Sequence, residues 1–276
     1  MALPAPQTPT QGAPEAAALW PARAGALGLS ACALIPTLDN PETVAAVVEG
    51  ALRHLPVILV DDGSGPAARA VIDALAAAHP ELVLLRHARN RGKGAALRAG
   101  FQAARARGFT HALSLDADGQ HLPEDLPVLL EAVAREPRAL VLGARDLAGA
   151  GAGWGSRSGR WLSNAWLRLA SGQALPDTQT GFRAYPLAAL AALELAGERY
   201  ELEALVLADA ARAGTPLRTV PIRVRYFPRA RRVSHMGAWD LLRIGAAWVR
   251  LLATRRWGPR ATRILGRGGA PARGSA

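Results

Sequence analysis

Along the first half of the chain, short apolar runs alternate with longer Ala/Leu-rich stretches. The runs SACALIPTL, PVILVDDGS, LVLLRH, HALSLDADG and ALVLGAR are bounded by turn residues and predict strands. Between them, ETVAAVVEGALRH, AARAVIDALAAAH, KGAALRAGFQAARARG and PEDLPVLLEAVARE predict helices. Strand and helix in strict alternation describe βαβ units, hence an α/β domain whose sheet is mostly parallel, Rossmann-like and flanked by helices.

The polar residues fall where such a sheet places chemistry. Asp39, Asp61 with Asp62, Asn90, Asp116 with Asp118, and Arg145 all follow the carboxyl ends of predicted strands, the edge at which open α/β sheets bind ligands. After Arg145 the texture changes to a Gly-rich stretch, AGAGAGWGSRSGR, which reads as a loop or lid, and then to an apolar helix, WLSNAWLRLASG. DTQTGFR reads as a turn and helix start, and RYELEALVLADAARAG as an amphipathic helix. No internal repeat is evident.

Composition narrows the partners. At 276 residues, 50% of them hydrophobic, the chain can bury one large core. The single cysteine, Cys32, excludes an intramolecular disulfide and a thiolate zinc cage and reads as a small buried residue. The net charge of +11 is local: residues 204–276 hold 15 Arg against 2 acidic residues, and the remainder sums to −2. A localised basic surface faces an anionic partner, whether phosphate, membrane or nucleic acid. No apolar run is long enough to span a membrane and no signal peptide is evident, so the expected location is the cytoplasm. Residues 1–26 read as a disordered leader and 266–276 as a disordered tail.

Two carboxylates, Asp116 and Asp118, end an apolar run in LSLDADGQH. Gly119 permits the bend that would let both approach one cation, and oxygen-only ligands suit a hard ion such as Mg2+ or Mn2+ bridging to substrate phosphates. The other reading is an acidic turn ahead of the helix that opens with Pro123, Glu124 and Asp125. In NRGKGAAL, Arg91 and Lys93 lie beside two glycines at a helix start, either an anion site or a solvated basic turn.

The ordered segments IPTLDNPETV, VILVDDGSG, ARNRGKGAALRAGF, LSLDADGQH, LVLGARD and DTQTGFRAY resemble family-two glycosyltransferases of the GT-A fold, and within them the dolichyl- or polyprenyl-phosphate mannose synthase group. The resemblance covers about Ser30 to Met236, and implies one glycosyltransferase domain over 27–236. It implies that Pro36, Thr37, Asp39, Asp61, Asp62 and Lys93 bind the nucleotide-sugar donor. Asp116, Ala117 and Asp118 would meet its diphosphate, with Asp116, Asp118 and Gln120 as metal ligands. Arg145, Arg160, Ser163 and Arg183 would receive the lipid phosphate, with Asp177 near the sugar or the metal. The catalytic set is then Asp116, Asp118, Arg145 and Asp177. The wording around Leu38, Asp39 and Asn40 departs from the group's usual tyrosine-asparagine-glutamate.

The implied reaction is inverting, metal-dependent sugar transfer from a nucleotide sugar to a polyprenyl phosphate. An anionic acceptor oxygen needs no general base, so the burden moves to holding two anions together. Residues 237–265 predict an amphipathic helix, with Arg243 and Arg250 on one stripe and Leu241, Ile244, Trp248 and Leu251 opposite. Such a helix could lie in the membrane interface, placing the enzyme peripherally on the cytoplasmic face, or could pack on the domain. Three alternatives stand beside this reading. One is transfer to a non-phosphorylated hydroxyl with Asp177 as base. The second is a sugar-nucleotide pyrophosphorylase, which shares the sheet type, but its Gly-rich loop after the first strand is absent because IPTLDNPE has no glycine. The third is a basic nucleic-acid- or membrane-binding protein without activity, weakened by the absence of any nucleic-acid module.

Overall fold

In the computed structural model, residues 28–145, 164–165, 167–168, 175–225 and 245–246 are described. Five strands stand where the apolar runs predict them: β1 (Ala31–Thr37), β2 (Val57–Asp61), β3 (Val83–Arg86), β4 (His111–Ser114) and β5 (Leu140–Arg145). The intervening helices are α1 (Val44–Leu52), α2 (Pro66–Ala78), α3 (Lys93–Ala106) and, after a 3-10 turn at Pro123–Asp125, α4 (Leu126–Arg135). Two further strands follow, β6 (Arg183–Pro186) and β7 (Leu217–Ile222), with α5 (Leu187–Ala191) and α6 (Glu201–Arg212) between them.

The seven strands form one sheet in the order β3-β2-β1-β4-β6-β5-β7. β6 runs antiparallel to both its neighbours, pairing Leu113 with Ala184 on one side and Val141 with Ala184 on the other. All other pairings are parallel. The helix start expected at the end of DTQTGFR is therefore a strand. Arg183, Ala184, Tyr185 and Pro186 are all buried, and a short strand covered on both faces leaves no period-two signal.

Alternation along the strands divides the core between the two faces of the sheet. Ala33, Ile35, Val57 and Leu59 pack beneath α1, α2 and α4. Cys32, Leu34, Ile58 and Val60 pack beneath α3, α5 and α6. Cys32 is buried as expected, and burial pushes its thiol up to about 12. The reversed β6 matters for function. Because it runs backwards, the residues that enter it, Gln179 to Phe182, arrive at the same sheet edge as the carboxyl ends of β1, β2, β4 and β5.

Candidate active site

That edge carries a cleft of about 400 Å3. Its wall includes Pro36 and Thr37 at the end of β1, Asn40 after it, Asp62 after β2, Asn90, Gly92 and Lys93 at the start of α3, Asp116 to Asp118 and His121 after β4, and Arg145 at the end of β5. Gln179 and Gly181 ahead of β6, and Arg199, Tyr200 and Glu203 at the start of α6, close it.

The acidic floor is held from several sides. Ala117 O accepts a hydrogen bond from Thr43 Oγ1 at 2.6 Å, and Ser114 Oγ donates to Gly181 O at 2.6 Å, so the turn after β4 is tied to α1 and to β6. Gly181 lies so close that a Cβ there would stand 2.3 Å from Asp116 Oδ2, and only glycine fits. Asp116 Oδ1 receives Lys93 Nζ at 2.7 Å, and Lys93 also reaches Glu203 Oε2 at 2.9 Å. Burial alone would raise the Asp116 carboxyl, but Lys93 and the other nearby cations hold it below its usual range. Asp118 goes the other way, pushed up to about 6 by burial and by its neighbour Asp116. His121 is buried, its Nδ1 has no hydrogen-bond partner, and that atom lies 3.9 Å from Asp116 Oδ2. Burial lowers its imidazole to about 4, so it is neutral at physiological pH.

These residues fit a hard divalent cation. Two carboxylates crowd one end of the cleft, and the raised Asp118 marks negative charge that nearby cations do not fully offset. Among the described residues no group of three or more His, Cys, Asp or Glu forms a self-sufficient metal cage. A bound Mg2+ or Mn2+ would thus complete its shell with Gln120, water and substrate phosphate, as magnesium sites commonly do.

Of the expected donor residues, Pro36, Thr37, Asp62, Lys93, Asp116, Ala117 and Asp118 line the cleft, as does Gln120. Asp39 and Asp61 do not. Asp61 is fully buried, accepting from Ser64 N at 2.9 Å and Arg86 Nε at 2.8 Å. Asp39 sits in the left-handed region at φ 51° and accepts from Gly65 N at 2.7 Å, which locks the β1 and β2 loops together. Asp62 reaches the cleft wall but uses its carboxylate to accept from Arg91 N and Gly92 N at 3.0 and 2.7 Å. The two amides leading into α3 are therefore already occupied, and the positive charge there comes from Lys93.

Two expected roles are corrected. Arg183 is 1% exposed, and its guanidinium donates to the carbonyls of Thr180, Glu203 and Thr178 at 2.7, 2.7 and 2.9 Å. It braces β6 against α6 and cannot meet a lipid phosphate. Asp177 is 0% exposed and takes Arg145 Nε and Nη2 at 2.6 and 3.0 Å. Burial opposes its charge, yet the Arg145 guanidinium holds its carboxyl below the usual range. A carboxylate so paired positions Arg145 and is not available as a base. Arg145 itself lines the cleft. Arg160 and Ser163 lie outside the described residues, as does the predicted helix 237–265 apart from residues 245–246. Sequence reasoning assigned no role to His121 or Arg199, whereas Gln179 belongs to the DTQTGFR segment and does line the cleft. Glu203, one residue of the predicted helix RYELEALVLADAARAG, proves to be a buried acid on the cleft wall, and an acid beside Leu202 and Val206 on α6 was the signal for it.

The family model for glycosyl transferase family 2 matches residues 32–193. The chain is 33% identical over 174 residues to a polyprenol monophosphomannose synthase of Mycolicibacterium smegmatis, a match covering 59% of this chain and 63%, just under two thirds, of that protein. It is 31% identical over 198 residues to an undecaprenyl-phosphate mannosyltransferase of Micrococcus luteus, covering 68% of this chain and 81% of the relative. Among solved structures it resembles glucosyl-3-phosphoglycerate synthase of Mycobacterium tuberculosis, with TM-score 0.65 and 19% identity over 92% of this chain and 88% of that one. A second structure of that synthase, with TM-score 0.57 and 16% identity over 91% and 83% of the two chains, holds Mn2+ and UDP-glucose. The structural likeness establishes the fold, a GT-A arrangement.

Proposed function

The chain belongs to glycosyl transferase family 2, and we propose that it transfers a sugar from a nucleotide-sugar donor to a polyprenyl phosphate, with inversion at the anomeric carbon. The observation that carries this reading is the meeting, in one cleft, of an acidic floor, Asp116 and Asp118, with cations on its flanks, Lys93 and Arg145. Such a cleft suits two anionic substrates brought together. The names of the two mannosyl-transferring relatives specify polyprenol and undecaprenyl phosphate and point the same way.

Pro36, Thr37 and Asn40 flank the nucleoside, at the ends of the strands where open sheets bind ligands. Asp116, Asp118 and Gln120 hold a divalent metal, Mg2+ or Mn2+, which supplies positive charge to the leaving nucleoside diphosphate. Arg145, aimed by Asp177, receives the lipid phosphate together with Arg160 and Ser163. The phosphate oxygen is already anionic, so no side chain has to take a proton from it. The Asp177–Arg145 pair supports this acceptor over a neutral hydroxyl, since it occupies the one acid assigned as base for the hydroxyl. Among the described residues no helix is long and apolar enough to cross a membrane. The basic, amphipathic pattern over 237–265 supports peripheral attachment to the cytoplasmic face.

The test is a donor screen. Purified protein is given polyprenyl phosphate and labelled GDP-mannose, UDP-glucose or UDP-N-acetylglucosamine, each with Mg2+ or Mn2+. The expected result is label in the organic phase that depends on one donor, on metal and on the lipid's phosphate. Equal transfer to the dephosphorylated polyprenol would overturn the assignment of the acceptor.

A further inference from the structure

The Lys93 ammonium stands where it must affect any metal at Asp116. Its Nζ is 2.7 Å from Asp116 Oδ1 and 2.9 Å from Glu203 Oε2, with a side chain 15% exposed, and it lies 5.8 Å from the centre of the Tyr200 ring. The backbone beneath it is fixed. Gly92 N donates to Asp62, and Ala95 N donates to Glu198 O at 2.9 Å. Gly92 holds φ 98°, and a Cβ there would meet Glu198 O at 2.4 Å, so the start of α3 is clamped between the β2 loop and the segment leading into α6. The anchored lysine is thus aimed into the floor of the cleft.

From this we infer that Lys93 is a resident counter-ion of Asp116, released only when a nucleoside diphosphate arrives, so that metal and nucleotide enter the cleft as a coupled pair. A bare divalent cation approaching the cleft finds Asp116 already neutralised and must break a partly buried ion pair to use it. A nucleoside diphosphate brings its own negative charge. An ammonium is a point charge on a flexible stem with three donors, and it can turn from a carboxylate to a phosphate while Glu203 retains one of those donors. Asp116 then becomes available to the metal. The coupling is reciprocal: whatever factor the nucleotide adds to metal affinity, the metal adds to nucleotide affinity.

This inference rests on the proposed metal-dependent reading of the cleft, and binding measurements separate the two. Mn2+ affinity is measured by electron paramagnetic resonance or calorimetry on the full chain, alone and with saturating GDP or UDP. Wild type should bind bare Mn2+ weakly and gain about tenfold or more when the matching nucleotide is present, within the usual span of coupling between sites. Lys93→Met should bind bare Mn2+ about tenfold more tightly than wild type and lose most of that gain. Lys93→Gln, which keeps a polar donor on the carboxylate side without the charge, should behave alike and protects the test against loss of fold. Lys93→Arg should restore the wild-type pattern. Arg53→Gln, which removes an exposed cation at the far end of α1, should leave the coupling intact. If the Met and Gln variants leave both bare Mn2+ affinity and the nucleotide gain unchanged, the counter-ion role is wrong while the glycosyltransferase reading stands. If wild type binds no Mn2+ even with GDP or UDP, the metal reading falls and the inference with it.

Discussion

Asp118 sits in the cleft at a cost to the fold, and that cost can be measured. Burial and the adjacent Asp116 push its carboxyl from 3.8 up to about 6. Between those values the folded protein binds more protons at this site than the unfolded chain, so the site favours folding at low pH and loses that advantage as pH rises. Above about pH 6 the full penalty applies. Two pH units correspond to about 3 kcal/mol, and because water reaches part of the side chain about 1–2 kcal/mol is the expected share. Asp118→Asn keeps the shape and cannot ionise. In EDTA, urea unfolding should show the variant about 1–2 kcal/mol more stable than wild type at pH 7.5, equivalent to a few degrees in melting temperature for a domain of this size. The difference should shrink as pH falls through that window and vanish only below about pH 3.8, where both states are protonated. Addition of Mn2+ with nucleotide should stabilise wild type alone, and sugar transfer by the variant should be largely lost. A variant less stable than wild type across the whole range, or a difference that ignores pH, would refute the argument that crowded carboxylates await a cation.

Three further outcomes follow from buried partners. Asp177→Asn leaves the Arg145 guanidinium facing an amide, and breaking a buried pair of this kind costs about 3–5 kcal/mol; lipid-phosphate KM should rise together with the loss of stability, whereas loss of turnover with unchanged urea unfolding would return Asp177 to the role of base. Arg183→Met strands the carbonyls of Thr178, Thr180 and Glu203 and should lower the melting temperature on the order of 10 °C, with lipid-phosphate KM unchanged in the protein that folds. Cys32, with its thiol at about 12 and no exposed surface, should resist iodoacetamide in the native protein and react only as fast as the protein unfolds, so rapid native labelling would contradict its burial.

The parallel half of the fold was legible because each of its strands is a continuous apolar run, and each helix between them shows a wider period. β6 escaped for a physical reason. Its four residues include an arginine and a proline, and its place is earned by Arg183 bonding carbonyls on both sides of it, a contact between segments 20 residues apart that no local pattern records. β7 is an edge strand without a clean alternation, with Leu217 and Ile222 buried on opposite faces and Arg218 exposed, and Pro221 within it reads as a breaker.

The site was legible in location and less so in role. Acidic residues at strand ends correctly marked the edge, yet the same residue type does two jobs there. Asp116 and Asp118 face the cleft, whereas Asp61, Asp62 and Asp177 each spend their oxygens on a neighbour: Arg86 and Ser64, the amides of Arg91 and Gly92, and Arg145. The distinction depends on which amide or guanidinium lies within 3 Å, and those donors come from 3 to 32 positions away along the chain. The two kinds of carboxylate are nevertheless mechanically linked. Asp62 anchors the residues immediately before Lys93, and Lys93 holds Asp116, so a loop-building aspartate sets the position of the cation on which the ligand-facing one depends. A substitution at Asp62 should therefore change metal–nucleotide coupling through the backbone that its carboxylate holds, which is how a loop-building carboxylate can come to look catalytic in a mutational screen.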